Sequence, residues 1–562
     1  MPTEKKMTGY PSIDKPWLKY YSEEAINAPL PECTIYEYLW ENNKDHLDDT
    51  ALNYFGKKIT YRKLFENIDN TANALSGFGI AEGDSVMFFT LNTPECIYCI
   101  YALNKIGAEI DFEYLNLTPK DIERSCAENS TKLILSVDLF ADVLSKCELN
   151  VPVVQIQIKE SLPLFKRLFL KSKHQIPDFI SYKNLLKEYK NSKDTDIHPN
   201  GTFIVHTGGT TGVPKGVVLT NKNLNAVAVQ YKYSSLDLKR QDKMLNIAPP
   251  FVAFGLSLTI HSPLCIGMCV CLSPDPNPKT TDKFFYYYKP NHYLGGHAHL
   301  NCISNSKYNT NLSFVKTVGY GGESIPRSDC ERFLEFFRKH GSLITHLSPG
   351  YGMSELASTA VTSGGYNVFK NETVGIPLVY TNIKIVDTET FSEKPFNEIG
   401  EIYISSPSMM REYKNNLEET KNVFYKDENE TIWIKTGDLG KVDEDGFVSI
   451  TGRIKRIKLV KDSGGTIFKL FPDYIEKIIA KLPGVKSCAV VTKQIDEADN
   501  KAVVFIQKGD VNISKELIIE HCKKELPEYL IPIHILFVES IPTTIGGKID
   551  YRALEKQAEE MK

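Results

Sequence analysis

Phe203-Ile204-Val205-His206-Thr207-Gly208-Gly209-Thr210-Thr211-Gly212-Val213-Pro214-Lys215-Gly216-Val217-Val218-Leu219-Thr220 runs from an apolar strand, through a Gly/Thr loop carrying one lysine, into a second apolar strand. The loop suits a phosphate chain. Its glycines let backbone amides approach an anion closely, its threonines add hydroxyl donors, and Lys215 adds positive charge. It is not a Walker loop, which needs Gly-Lys-Ser/Thr at the opening of a helix. Here Val213 and Pro214 separate Gly212 from Lys215, and a β-branched run follows. A plain flexible connection between two strands is the other reading of the same composition.

Upstream, the pattern alternates between strand and helix. Ile59-Thr60-Tyr61 is strand-like and a helical stretch runs to Leu75. A turn at Glu82-Gly83-Asp84 precedes an apolar strand from Ser85 to Thr90, and Asn92-Thr93-Pro94 opens a helix with a capping residue followed by proline. The alternation continues through Lys132 to Ser136 and Val151 to Ile158, which predicts a parallel sheet covered by helices. The segment from Glu160 to Ile180 breaks this rhythm. Its apolar residues recur near helical spacing around Phe165 while Lys166, Arg167, Lys171 and Lys173 are cationic, a pattern that fits a protein-packed surface helix or peripheral contact with a membrane surface.

At 562 residues with ordinary glycine, proline and charge content, the chain is expected to form two or more packed domains. A formal net charge of -4 gives no global attraction to nucleic acid. The twelve cysteines are scattered; Cys96 and Cys99 have CxxC spacing inside an apolar helical segment, and Cys265, Cys269 and Cys271 sit among apolar residues, so buried free thiols are expected. The polar, basic start and the lack of an apolar run of ~20 residues predict a soluble, cytoplasmic protein.

Downstream, a strand at Phe314 to Val318 runs into Gly319-Tyr320-Gly321-Gly322-Glu323-Ser324, and a second strand-like run leads into Ser348-Pro349-Gly350-Tyr351-Gly352-Met353-Ser354-Glu355. Ligands collect at such strand-to-loop junctions in open α/β sheets. His297 and His299 lie two residues apart and offer metal ligands or pocket donors. With no third ligand in the sequence pattern, a neutral, hydrogen-bonded His297 facing the pocket is the better reading. Further on come Met409 to Asn416, Trp433-Ile434-Lys435-Thr436-Gly437-Asp438, Gly452-Arg453, and finally Ile541-Pro542-Thr543-Thr544-Ile545-Gly546-Gly547-Lys548-Ile549-Asp550.

These strings, in this order over about residues 30 to 555, closely resemble the adenylate-forming superfamily of acyl-CoA synthetases, peptide-synthetase adenylation domains and firefly luciferase, and most of all the AMP-forming acyl-CoA synthetases. The resemblance implies an α/β fold with a large multi-sheet N-terminal domain, residues 1–454, and a small mobile α+β C-terminal domain, residues 455–562, hinged at Lys455. It implies that Thr207, Gly208, Gly209, Thr210, Thr211 and Lys215 hold the ATP phosphates. Gly322, Glu323, Tyr351 and Gly352 would contact the nucleotide and Ser354 a phosphate. Glu355 matches a magnesium-binding carboxylate, in keeping with the preference of Mg²⁺ for hard oxygen ligands. Asp438 and Arg453 match the ribose-binding pair, a carboxylate being able to accept both hydrogen bonds of a vicinal diol.

The segment from Asn246 to Leu256 resembles the start of the acid pocket, lined by Val252, Phe254, Gly255, His297, Gly321 and Gly350. An aspartate for a substrate ammonium is absent, and desolvating that ammonium against Val252 and Phe254 is costly, so an uncharged acyl tail is expected rather than an α-amino acid. Lys548 matches the catalytic lysine that steers the substrate carboxylate onto the α-phosphate, Gly464 and Gly465 the loop lining the CoA tunnel. The sequence departs from the pattern at Glu412 in place of glycine, at Arg456 where an acid is common, and in extra residues over 461–467, which leaves a surface loop as the other reading of that stretch. The implied reaction uses ATP, Mg²⁺ and CoA to activate a fatty or aryl carboxylic acid. Transfer to a carrier-protein pantetheine and a non-catalytic nucleotide-binding regulator are the alternatives.

Overall fold

The computed structural model describes residues 7–167, 176, 178–207, 215–275, 277–308, 310–364, 368–496, 499–509, 511–543 and 549–561. An eight-stranded sheet carries the stems of the phosphate loop. Its order is Glu412–Tyr413, Gly216–Thr220, Thr202–His206, Glu109–Phe112, Ser85–Phe89, Thr131–Val137, Val153–Ile156, Ile180–Ser181. From Thr202–His206 onward every pairing is parallel, as the alternation predicts. The strands are buried on both faces, which is why they read as continuous apolar runs. Helices Tyr61–Phe78 and Pro94–Ile106 bury Leu64, Leu75, Ile97 and Leu103 in the core they share with the sheet. The second helix begins as its sequence dictates: the Thr93 side chain accepts from Cys96 N at 3.2 Å, and Pro94 occupies the first turn.

A nine-stranded sheet follows in the order Ile376–Pro377, Ser358–Thr362, Ser348–Met353, Thr317–Gly321, His292–Gly295, Lys243–Asn246, Cys269–Leu272, Thr50–Tyr54, Lys57–Thr60. Its centre is parallel. Strand Lys243–Asn246 lies between the two parallel strands that follow it in sequence, so the chain winds to opposite sides of it, and its carboxyl end opens a crevice of the kind where α/β sheets bind ligands. The segment expected to start the acid pocket leaves from this end. The strand expected at Phe314 to Val318 instead spans Thr317–Gly321; Phe314 and Val315 belong to the preceding turn, closed by Val315 N on Leu312 O at 3.0 Å.

A six-stranded antiparallel sheet is built from Glu393–Lys394, Asn382–Val386, Gly400–Ser405, Ile432–Val442 and Phe424–Lys426, with Val448–Arg453 pairing along Ile432–Val442. The chain ends in a hairpin, Lys458–Lys461 with Ile467–Leu470, and a three-stranded sheet of Val485–Asp496, Asp499–Lys508 and His534–Val538, packed against helices Pro472–Ile479, Lys515–Glu525 and Tyr551–Glu559. Val460, Leu470, Ile475, Val504 and Ile518 make a separate apolar core there. The cysteines are free, with Cys96, Cys99, Cys265, Cys269 and Cys271 buried as expected. Much of the amphipathic stretch near Phe165 lies outside the described residues; what is described includes a short helix, Leu164–Arg167. Among the described residues no helix is long and apolar enough to cross a membrane.

Candidate active site

Thr202–His206 and Gly216–Thr220 pair antiparallel, and Thr207 and Lys215 close the mouth of the loop between them. Thr207 N donates to Lys215 O at 2.9 Å and Lys215 N to Thr207 Oγ1 at 3.1 Å. Gly208, Gly209, Thr210 and Thr211 lie outside the described residues. The Lys215 ammonium forms an ion pair with Glu419 and stands 4.7 Å from the Tyr413 ring centre. The Lys215 bond holds the Glu419 carboxyl below its ordinary range, and the charge of Lys455 adds to the effect. The sequence motifs missed Glu419, which is the third residue of helix Leu417–Val423, with its N–H bonded to the Asn416 cap at 3.1 Å. The Asn-Leu-Glu-Glu spacing was its signal.

Tyr413 carries the connection inward. Its hydroxyl donates to Glu355 Oε1 at 2.6 Å. Burial and the Glu355 charge push this phenol far above its ordinary range, so it stays a donor. Ser354 and Glu355 sit in a tight turn after strand Ser348–Met353, and Glu355 O accepts from Met410 N at 2.8 Å. One buried carboxylate is thus aligned with the phosphate-loop lysine through a single tyrosine.

The second cluster is built on a hairpin. Asp438 and Arg453 are cross-strand partners in the pairing of Ile432–Val442 with Val448–Arg453. Arg453 Nε lies 2.7 Å from Asp438 Oδ1, while the Tyr351 hydroxyl donates to Oδ2 at 2.7 Å. Asp438 is buried, whereas Arg453 is 55% exposed and reaches out from it. Burial and the Asp438 charge keep Tyr351 protonated. Two glycines near Tyr351 are sterically required: a Cβ on Gly352 would lie 1.9 Å from Ser358 O, and one on Gly321, on the neighbouring strand, would lie 2.9 Å from Gly350 O. Gly322 follows with φ +80°.

Val252 and Phe254 are half-buried against the main core, and a Cβ on Gly255 would lie 2.1 Å from Pro249 O, so the segment turns too tightly for any other residue. A π-helical turn, Ser257–His261, follows it. Tyr114 joins this segment to the phosphate loop, stacking edge-on against Phe251 at 5.4 Å while its hydroxyl donates to His206 O at 3.0 Å. His297 is hydrogen-bonded, as expected: it begins helix His297–Ser304, its N–H donates to Glu323 Oε1 at 2.6 Å, and its Nε2 lies 2.6 Å from Asp329 Oδ2. His299 is fixed in the same turn, its Nδ1 accepting from Gly296 N at 3.2 Å.

Beyond Arg453, Lys455 lies in a short turn, Ile454–Arg456. Arg456 is clamped by Asp473, by Glu476 at 2.8 Å and by Val490 O at 2.7 Å, with its guanidinium 3.7 Å over the Tyr551 ring. Gly464 and Gly465 occupy the exposed turn of the hairpin formed by the extra residues, where Asp462 Oδ1 accepts from Gly464 N at 2.9 Å and Thr466 N at 2.8 Å. Lys548 lies outside the described residues. The two ends of its loop meet in a bridge between Thr543 and Ile549.

Two family profiles match the chain, that of the AMP-binding enzyme over residues 39–414 and that of the AMP-binding enzyme C-terminal domain over residues 474–548. The chain belongs to the AMP-binding enzyme family. Long-chain-fatty-acid--CoA ligases of Yersinia pestis and Bacillus subtilis (strain 168) are 26% and 27% identical to it over 571 and 570 residues, in each case across 97% of this chain and 98% of the relative. The crystal structure of the anthranilate CoA ligase AuaEII in complex with anthranoyl-AMP superposes with a TM-score of 0.79 at 21% identity, covering 95% of this chain and 98% of that one.

Proposed function

We propose that this chain is an AMP-forming carboxylic acid–CoA ligase acting on a fatty or aryl acid, with the aliphatic class favoured by the apolar Val252 and Leu256. The observation that carries the reading is Asp438, a buried carboxylate fixed on both oxygens by Tyr351 and Arg453 and suited to a ribose diol that replaces one of those partners. In the first step a carboxylate oxygen attacks the α-phosphorus of ATP, the bond to pyrophosphate breaks, and an acyl-adenylate forms. Lys215 and Lys548 compensate the charge that builds up. In the second step the CoA thiol attacks the acyl carbon, its proton is lost, and AMP leaves.

Glu355 fits a magnesium ion, being a buried hard-oxygen ligand with one oxygen oriented by Tyr413, and the ion would supply charge compensation to the phosphates. We divide the chain at 454/455, with Lys455 as the hinge. Support comes from the separate C-terminal core and from the small number of bonds among the described residues that cross the division and that rotation would break, such as Lys477 Nζ to Ile450 O at 2.7 Å and Arg453 N to Asp473 Oδ2 at 3.2 Å.

The test is pyrophosphate release with Mg-ATP across aliphatic, aryl and amino acids, with and without CoA. Turnover with one acid class that rises on adding CoA is expected, with a loss of about 10²–10³ in adenylation for Lys548→Ala. Adenylation indifferent to CoA points to a carrier-protein acceptor. No release with any acid rejects the catalytic reading.

A further inference from the structure

Glu109, Asp111 and Glu113 alternate with Ile110 and Phe112, which puts three carboxylates on one face of a central strand and its continuation. Glu109 has its counter-charge, since Lys414 Nζ lies 2.7 Å from both of its oxygens. Asp111 and Glu113 instead face His206, the last residue of the neighbouring parallel strand. His206 Nε2 is 3.0 Å from Asp111 Oδ1 and 3.7 Å from Glu113 Oε2, and one ligand atom from each of the three residues falls within 4.8 Å of the others.

Three observations make this more than a buried ion pair. Charge comes first: both carboxylates are buried and among the described residues no lysine or arginine pairs with either, so with both ionised a single imidazolium leaves one negative charge uncompensated, and without a cation burial and the neighbouring Asp111 charge push the Glu113 carboxyl up towards its protonated form. A divalent cation with a neutral imidazole balances the group. Orientation comes second. Asn129 Nδ2 donates to Asp111 Oδ2 at 2.7 Å and the Ser125 hydroxyl donates to Glu113 Oε1, so donors from outside the cluster lock one oxygen of each carboxylate and leave the other turned to His206. Outer donors orient metal ligands in this way. Spacing comes third: bonds of about 2.1 Å place neighbouring ligand atoms about 3.0–3.4 Å apart, which the 3.0 Å from Nε2 to Asp111 Oδ1 meets and the 3.7 Å to Glu113 Oε2 meets after a shift of a few tenths of an ångström.

We propose that Asp111, Glu113 and His206 bind one divalent first-row transition cation of the zinc type, for which a mixed imidazole and carboxylate donor set is suited. The site is separate from Glu355 and does not depend on the ligase reading. It ties two parallel strands together one residue before Thr207, where the phosphate loop begins, and so acts as an anchor for that loop.

The test is cation binding by the full-length chain after chelator treatment, read by equilibrium dialysis with Zn²⁺ and by the visible spectrum with Co²⁺. One equivalent per chain is expected for the wild type and for His198→Gln, a control on an exposed histidine beside Glu82. Affinity about tenfold weaker or worse is expected for Asp111→Asn, Glu113→Gln and His206→Gln, each checked for folding by its melting curve. No stoichiometric binding by the wild type, or unchanged binding by the three variants, overturns the site. Should the variants fail to fold, X-ray absorption on the zinc-loaded wild type decides: imidazole with oxygen donors supports the site, and a sulfur-containing or imidazole-free shell overturns it.

Discussion

Lys215 and Glu419, 204 residues apart in sequence, form an ion pair at the mouth of the phosphate loop. In the proposed reaction a bound triphosphate would have to compete with Glu419 for the same ammonium. Both side chains are partly exposed, so the pair contributes no more than about 1 kcal/mol. Glu419→Gln is therefore expected to lower the KM for ATP by about two- to fivefold, measured by ATP–pyrophosphate exchange, whereas Lys215→Ala raises it. A higher KM in Glu419→Gln would show that the acid assists the nucleotide rather than competing with it.

Asp438 is expected to be the most sensitive of the proposed nucleotide contacts. Asp438→Asn removes a charged acceptor and leaves Arg453 without its partner, for an expected loss of about 10- to 100-fold in ATP affinity by calorimetry. Tyr351→Phe deletes one bond to the same carboxylate and should cost about fivefold or less. Equal effects of the two would mean that Asp438 acts only through Tyr351.

Gly352 and Gly350, two residues apart on one strand, should respond differently to alanine. The Gly352 Cβ would lie 1.9 Å from a backbone oxygen, whereas the nearest atom to a Gly350 Cβ is 3.6 Å away. Gly352→Ala is expected to destabilise by about 1–3 kcal/mol in urea titration, with Gly350→Ala close to wild type. Similar stabilities would contradict the packing of the strand against Ser358.

His261 sets a pH dependence. Its Nδ1 lies 3.0 Å from the Tyr101 hydroxyl and its Nε2 3.0 Å from Asn225 Oδ1, while Asn225 Nδ2 is engaged by Cys33 O. Asn225 Oδ1 therefore accepts from Nε2–H, Nδ1 accepts from Tyr101, and the ring is neutral. Burial pushes this imidazole down to about 3 from 6.5. Between those values the unfolded chain binds a proton that the folded chain does not, so the stabilisation is complete above 6.5 and declines as pH falls towards 3. The loss at about pH 5 is about 2 kcal/mol. Urea titrations at about pH 7.5 and 5 should show it, and His261→Asn should flatten the slope.

The stems of the phosphate loop, the Thr93-Pro94 helix start and the Tyr351 string were legible in the sequence because each is encoded within one short stretch. Asp438 and Arg453 were legible too, a hairpin apart and facing by register. The partners of Lys215 and His206 were not. The capping spacing marks the helix that carries Glu419 but not that it meets Lys215, and Asp111 reaches His206 only because their strands pair, which periodicity does not encode. Asp329, which holds the His297 ring, was not legible either, because it comes from a helix 32 residues further along the chain.

The two-residue strand Glu412–Tyr413, paired against Gly216–Thr220, also has a bearing on biosynthesis. It seals the outer edge of the eight-stranded sheet, and it supplies the tyrosine, and the helix after it the acid, that engage Lys215. At about 5–20 residues per second, a ribosome needs about 10–40 seconds after making Lys215 to deliver Glu419. During that interval the nascent chain holds every residue of the phosphate loop with an unsealed sheet edge beside it, a template for wrong pairing. A product terminated before Tyr413 keeps the nucleotide motif but lacks the strand that finishes its sheet, so aggregation rather than partial activity is the expected fate of prematurely terminated chains.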